Sequence, residues 1–393
     1  MKGKLLYLFA LFLPLEQIFL FVFNVDTQLK PYRIFILLTF FLMIFSKKTL
    51  TKSRTSHVFF GLFFIFIYGF SVGLIRIGIN EGNIDYLLNG SIHFIIGLMT
   101  FHVFSNIQDS KLLYKIGIYF IIGIAISSIY GLYSLFFLDF TYFRLRGFFN
   151  NPNHLAIVIN LISPFLIYNY IIGRRKKTML FAFIFFTVIV LLTASRTGVL
   201  LQTINILYLL YTYKTKILNL FIFSITAVVA YFWAVVPALN KNSSILDRFE
   251  ESNFSGAGGR FDILNSVINL GVDSYFTGVG IQQYRFYHTT YAKSAEIQSI
   301  LDYELGTHNH YLDLLVNFGV LSFTIYIFFL LKIVRSIHKI DENNLRKSCY
   351  LFFLIFLLAC SSQEMFMWPL FWACLSLLIV STKNINGYSN PKS

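Results

Sequence analysis

The sequence predicts an all-α, polytopic membrane protein with about twelve transmembrane helices and one large outer loop. Three observations carry that reading. Of 393 residues, 56% are apolar, more than the half-polar helices of a soluble chain accommodate. The apolar residues fall in repeated runs that approach the roughly 20 needed to cross a bilayer as a helix. The runs are continuous and do not alternate, which argues against a transmembrane barrel and leaves helices to satisfy the backbone in lipid.

In order, the expected spans are 5–23, 32–46, 57–75, 84–104, 116–138, 154–172, 178–194, 198–211, 217–236, 311–332, 349–362 and 366–382. Lys2 and Lys4 before the first run imitate a signal peptide. A small-residue cleavage site is lacking, and Glu16-Gln17 interrupts the run, so it reads as a span. The chain then divides into helices 1–9 over 1–236, a long polar interval over 237–310, helices 10–12 over 311–382, and a polar tail over 383–393.

The net charge of +14 does not call for nucleic acid, because cytoplasmic loops of membrane proteins gather Lys and Arg. With both termini cytoplasmic, the inner segments hold 21 of the 32 Lys and Arg. Setting aside the five in the long loop, which follows the rule poorly, the outer segments hold 6. This orientation puts Arg144, Arg146, Arg196, Arg248, Arg260, Arg285, His308 and His310 on the outer face. Single arginines there snorkel to headgroups; several on one face favour a bound anion. The cysteines, Cys349, Cys360 and Cys374, form no disulfide framework or metal motif.

Arg196 closes the seventh span in Thr193-Ala194-Ser195-Arg196-Thr197-Gly198, where a planar fork of donors suits phosphate oxygens. Arg260 follows Gly256-Ala257-Gly258-Gly259. It is expected to open an amphipathic helix with Phe261, Leu264, Val267 and Ile268 on one face, the glycines letting backbone N–H groups approach an anion. His308-Asn309-His310 stands where the loop re-enters the membrane. Two histidines with Asp302, Glu304 and Asp313 nearby raise a zinc site, but no second ligand cluster has helical spacing. A general base with a pKa near neutrality fits His308 better. His93, His102 and His154 read as structural, and Glu16 as an intramembrane carboxylate awaiting a partner. No Asp-x-Asp pair for a divalent cation is present, so arginine is the expected stabiliser of a diphosphate.

Together these segments resemble the O-antigen ligase / O-antigen polymerase superfamily of bacterial membrane glycosyltransferases. The likeness rests on Ser195-Arg196, Gly259-Arg260, Phe276-Thr277-Gly278-Val279-Gly280 followed by Tyr284, and His308-Asn309-His310-Tyr311-Leu312 leading to Gly319. Arg146-Gly147-Phe148-Phe149-Asn150-Asn151-Pro152-Asn153 adds to it, and the likeness runs from about residue 144 to 335.

The resemblance implies a glycosyltransferase C type bundle in the bacterial inner membrane, its active site on the periplasmic or extracellular face. It implies a glycan donor on undecaprenyl diphosphate, an acceptor glycolipid (a lipid-linked repeat unit or lipid A-core), and transfer without metal or other cofactor. Arg196, Arg260 and His308 take the catalytic positions; Arg146, Arg248 and His310 are secondary, substrate-binding candidates. A lipid-linked oligosaccharide flippase is the competing class. It fits an even span count but not the single large loop and unlike halves of this chain.

Overall fold

A computed structural model describes residues 2–15, 18, 30–44, 56–107, 109–137, 144–149, 151–213, 255–291 and 306–381. The expected span at 217–236, Glu16, Arg248, Asp302, Glu304 and the tail after 382 lie outside the described residues. Among those described there is no strand. Thirteen helices follow one another: α1 (Lys2–Phe12), α2 (Pro31–Ile44), α3 (Ser56–Gly78), α4 (Ile84–Ser105), α5 (Ser110–Phe137), α6 (Pro152–Ile171), α7 (Lys176–Leu192), α8 (Arg196–Tyr213), α9 (Ser255–Asp273), α10 (Tyr284–Tyr291), α11 (His310–His338), α12 (Asn343–Cys360) and α13 (Pro369–Ser381). Five contain stretches long and apolar enough to cross a membrane: Val58–Gly78, Ile84–Ser105, Ser110–Leu135, Pro152–Ile171 and His310–His338. The chain is an all-helical membrane protein, and α9 and α10 are the helices of the long polar interval.

Asparagine starts three of the long helices. Asn83 accepts from the backbone N–H groups of Asp85 and Tyr86. Asn151 accepts from Asn153 N–H, with Pro152 at the first helical position, and Asn309 accepts from Tyr311 and Leu312. Each cap satisfies N–H groups that a helix start leaves without partners.

The helices fall into two compact units. In the first, α6 is central and packs against α5, α7 and α8, while α1 lies along α5. A polar ladder runs through this buried helix packing. Asn160 donates to Gly198 O at 3.0 Å, Asn205 donates to Asn160 Oδ1 at 3.1 Å, and Gln202 donates to Thr187 Oγ1 at 2.6 Å. Pro164 inside α6 has no N–H to offer the carbonyl of Asn160; the Asn205 side chain supplies the missing donor at 3.3 Å. Interhelical bonds of this kind contribute about 0.6 kcal/mol each in a membrane.

In the second unit, α4 packs against α3 and α13, and α11 against α3, α9 and α13. Helix α11 is broken at Gly319, whose φ of 75° and ψ of 172° are not helical. Into the break fits the Phe276–Gly280 segment. Val279 N–H donates to Val316 O and Gly280 N–H to Asn317 O, and Val320 N–H donates to Phe276 O, all at 2.9 Å. Both strips of backbone thereby regain bonds that the kink removes, as lipid-buried backbone requires.

Helix α9 differs from expectation in two ways. It begins at Ser255, so Gly256 to Gly259 are helical and Arg260 lies in the second turn rather than opening the helix. Its buried stripe is Ile263, Ser266, Val267 and Leu270, packed on Val279, Tyr284 and Val316, whereas Ile268 is 46% exposed. The stripe hides in the sequence because a serine occupies one of its places, its hydroxyl bonded to Tyr284 OH at 2.6 Å.

Candidate active site

The candidate residues occur in two places, one in each unit, and each is built by its own local chemistry.

In the first unit the site element is the turn between α7 and α8. Ala194 adopts a left-handed φ of 49°. Ser195 Oγ then caps α8 by accepting from Gly198 N–H at 3.1 Å, and Arg196 is the first helical residue. Gly198 is needed for close approach: a Cβ there would stand 2.5 Å from that of Ala156 on α6. The Ser-Arg-x-Gly motif is thus a capped, tightly packed helix start with arginine at its tip. Arg144 braces this turn. Its guanidinium donates to Thr193 O at 2.9 Å, Ala194 O at 3.3 Å and Asn153 Oδ1 at 3.0 Å. One fork thereby ties the carbonyl end of α7 to the start of α6. Arg146 follows two residues later, half-buried, before Gly147, whose φ of 59° and proximity to Ser127 leave no room for a side chain. Phe148 stacks on Tyr130 at 4.1 Å and fixes this segment to α5.

In the second unit the site element is the start of α11. His308 is exposed and holds a left-handed φ of 48°. For a non-glycine residue that conformation costs of order 1 kcal/mol and persists where neighbours enforce it. The enforcer is Glu364. Its Oε1 accepts from His308 N–H at 3.1 Å and from Thr307 Oγ1 at 3.4 Å, and its Oε2 lies 3.5 Å from an Arg285 guanidinium nitrogen. Asn309 completes the clamp, capping α11 with its oxygen and donating through Nδ2 to Ser361 O at 3.0 Å.

Behind His308 lies His288, 2% exposed, with no hydrogen-bond partner at Nε2. Burial lowers its pKa, and the neighbouring His308 lowers it further. Its ring meets that of Tyr284 edge-on at 5.5 Å. Burial raises the Tyr284 phenol well above its usual value, against the bond to Ser266. Asp313, one turn into α11, accepts from Asn317 Nδ2 at 2.7 Å.

His310 is not with them. It is wholly buried among Phe366, Phe371 and Tyr326, neither ring nitrogen having a hydrogen-bond partner. This placement departs from the expected substrate-facing position: His308 lies in a left-handed turn before the Asn309 cap, whereas His310 is the first residue of α11 and sits in the helix packing. Arg260 is placed through its backbone on α9, in the same unit as His308. Among the described residues no group of three or more His, Cys, Asp or Glu is placed to hold a metal ion.

Sequence reasoning placed Arg144 and Arg285 only in the outer-face cationic group and gave Glu364 and His288 no site role. Glu364 had a signal, since the polar Ser361-Ser362-Gln363-Glu364 interrupts two apolar runs. His288 had none.

Fold and site define the class: a helical membrane protein that holds Arg196 and His308 at capped helix starts. Residues 181–327 match the family model described as O-antigen ligase, which supports the O-antigen ligase / O-antigen polymerase superfamily. The matched residues include Arg196, Arg260 and His308. No curated protein matches the sequence.

Proposed function

We propose that this protein is a membrane glycosyltransferase that moves a glycan en bloc from undecaprenyl diphosphate to an acceptor hydroxyl during surface polysaccharide assembly. It acts in the bacterial inner membrane as a twelve-span glycosyltransferase C type bundle, with both termini cytoplasmic and the polar 237–310 interval on the outer side. The observation that carries the reading is the His308 clamp: an exposed imidazole held in a left-handed backbone conformation by a carboxylate, within a match to the O-antigen ligase family.

In the reaction, His308 accepts the proton of the acceptor hydroxyl as that oxygen attacks the anomeric carbon. The bond from that carbon to the diphosphate oxygen breaks on the opposite face, and the configuration inverts. The leaving undecaprenyl diphosphate gains negative charge as the bond breaks. Arg196 and Arg260 stabilise that charge more in the transition state than in the ground state. Arg146 and Arg248 bind the donor's remaining anionic groups, and no metal ion is required. The acceptor is either a second lipid-linked repeat unit, for a polymerase, or lipid A-core, for a ligase.

The test uses purified, inserted protein with a lipid-linked repeat unit, with and without lipid A-core. Transfer abolished in Arg196→Ala, Arg260→Ala and His308→Ala supports the assignment; normal transfer in inserted His308→Ala refutes the general-base role. Longer chains formed without core acceptor identify a polymerase, and products only with core identify a ligase.

A further inference from the structure

The polar interval is expected to lie outside the membrane, yet its central segment is bonded to the middle of two membrane-spanning helices. Ile281 N–H donates to Gly69 O of α3, and Tyr68 OH donates to Thr277 O at 2.7 Å. The same segment fills the break of α11 at Gly319. Gly69 is nine residues from the end of α3 at Gly78, and Gly319 is nine residues from the start of α11 at His310. At about 1.5 Å per residue, both give a depth of roughly 13 Å. Two helices running in opposite senses therefore agree on how far the segment descends.

The return is also marked. Gln283 forms a reciprocal pair with the backbone of Asn83 at the start of α4, at 2.7 and 2.8 Å. Tyr287 OH donates to the carbonyl of Glu81 in the α3–α4 turn. The chain thus comes back to the helix ends within a few residues. Descent is possible because small residues clear the way. A Cβ on Gly280 would collide with Gly73 Cα, and one on Gly90 would stand 2.6 Å from Ile281. Gly278 and Gly280 hold φ values of 91° and 104°, which other residues rarely adopt. Val279, Ile281 and Gln283 are completely buried. Irregular backbone at membrane depth is tolerated when it is buried in protein; Gly278 to Ile281 are buried, and the N–H groups of Val279, Gly280 and Ile281 donate to Val316, Asn317 and Gly69 carbonyls.

On its outer side the segment presents a mainly apolar face, with Asp273, which hydrogen-bonds Tyr291, and Thr277 also exposed along it. Tyr275 is 88% exposed, Val272 57%, and Ile268 and Phe276 are also exposed. That face continues onto Val320 and Leu321 of α11, both exposed on a membrane-spanning helix, through the bond from Val320 N–H to Phe276 O.

We infer that residues 275–281 form a re-entrant membrane segment, and that Val272 and Tyr275 rest against the acyl chains of the outer leaflet. The inference rests on the membrane-spanning character of α3 and α11, not on the transfer chemistry proposed above. It assigns the bilayer hydrocarbon as the partner of this face.

The test places a nitroxide at Tyr275→Cys in protein reconstituted into vesicles and compares collision with oxygen, which partitions into lipid, and with a water-soluble nickel chelate. Phe64→Cys on α3 is the lipid reference and Glu81→Cys the aqueous one. Tyr275 is so exposed that protein cannot shield a label there. An oxygen-to-nickel ratio several-fold above that of position 81, near that of position 64, supports re-entry. A ratio equal to that of position 81 overturns it. Val272→Cys serves as a second site should the Tyr275 variant insert poorly. Neither result bears on glycan transfer, so the two readings fail separately.

Discussion

Glu364 offers the sharpest test of how the site is held. It accepts from His308 N–H and Thr307 Oγ1 and faces Arg285, so Glu364→Ala removes a charged acceptor from all three. Hydrogen bonds to a charged group contribute about 1.5–3 kcal/mol each. The carboxylate is partly exposed, with a side-chain accessibility of 20%, so the lower end applies. At about 1.5 kcal/mol for each of the bonds from His308 N–H and Thr307 Oγ1, a loss of about 1.5–3 kcal/mol in holding His308 corresponds to roughly a 10- to 150-fold fall in kcat, at about 1.4 kcal/mol per decade. Glu364→Gln keeps an acceptor for His308 N–H while discarding the charge, and is expected to lose about tenfold or less on the same scale. Gly306→Ala should mimic Glu364→Ala, because a Cβ at 306 would collide with the Glu364 carboxylate. The assay is glycan transfer on a lipid-linked donor, with insertion verified and folding checked by thermal unfolding. If Glu364→Ala transfers within about two- to threefold of the parent, under a kcal/mol, the carboxylate does not hold the base and the argument fails.

Arg144→Ala releases the carbonyls of Thr193 and Ala194 from the guanidinium that braces the Arg196 turn. Transfer should fall about tenfold or more, and Arg144→Lys should not rescue it, because a point charge cannot replace a fork; rescue by lysine refutes the bracing role. Gly280→Ala combines a strained φ of 104° with a collision against Gly73. A loss of about 2–4 kcal/mol follows, read as a lower unfolding temperature in detergent, and an unchanged midpoint counts against the inserted loop. His288 has a pKa depressed below 6.5 by burial and by His308. The unfolded chain therefore binds the proton first, so His288 contributes stability above pH ~6.5 that is lost as pH falls toward its depressed value. His288→Gln should flatten that acid-side slope in unfolding experiments across pH, and an unchanged slope refutes it.

What the sequence discloses and what it withholds divide along a physical line. Five of the expected spans are visible because lipid demands about 20 apolar residues in a row, a requirement that Val58–Gly78, Ile84–Ser105, Ser110–Leu135, Pro152–Ile171 and His310–His338 each meet alone. The caps are local too: Asn83, Asn151 and Asn309 stand immediately before the helices they start. Ser195 is legible for the same reason. The glycines are different. Gly69, Gly73 and Gly90 look like ordinary helix glycines, and their purpose appears only when Gly280 and Ile281, some 200 residues on, arrive against them. No periodicity encodes such an encounter. The same holds at the site. His308 is conspicuous in a polar stretch at a span start, whereas Glu364 becomes its anchor through a contact across 56 residues. His310 misleads for a complementary reason: a histidine suggests chemistry, but its backbone position turns it into an aromatic box, where it packs as a ring. Residue type proposes a role, and the direction in which the backbone points that residue decides it. For Arg260 the backbone alone answers the expectation: α9 is a continuous helix from Ser255 rather than a glycine nest, so position 260 falls in its second turn.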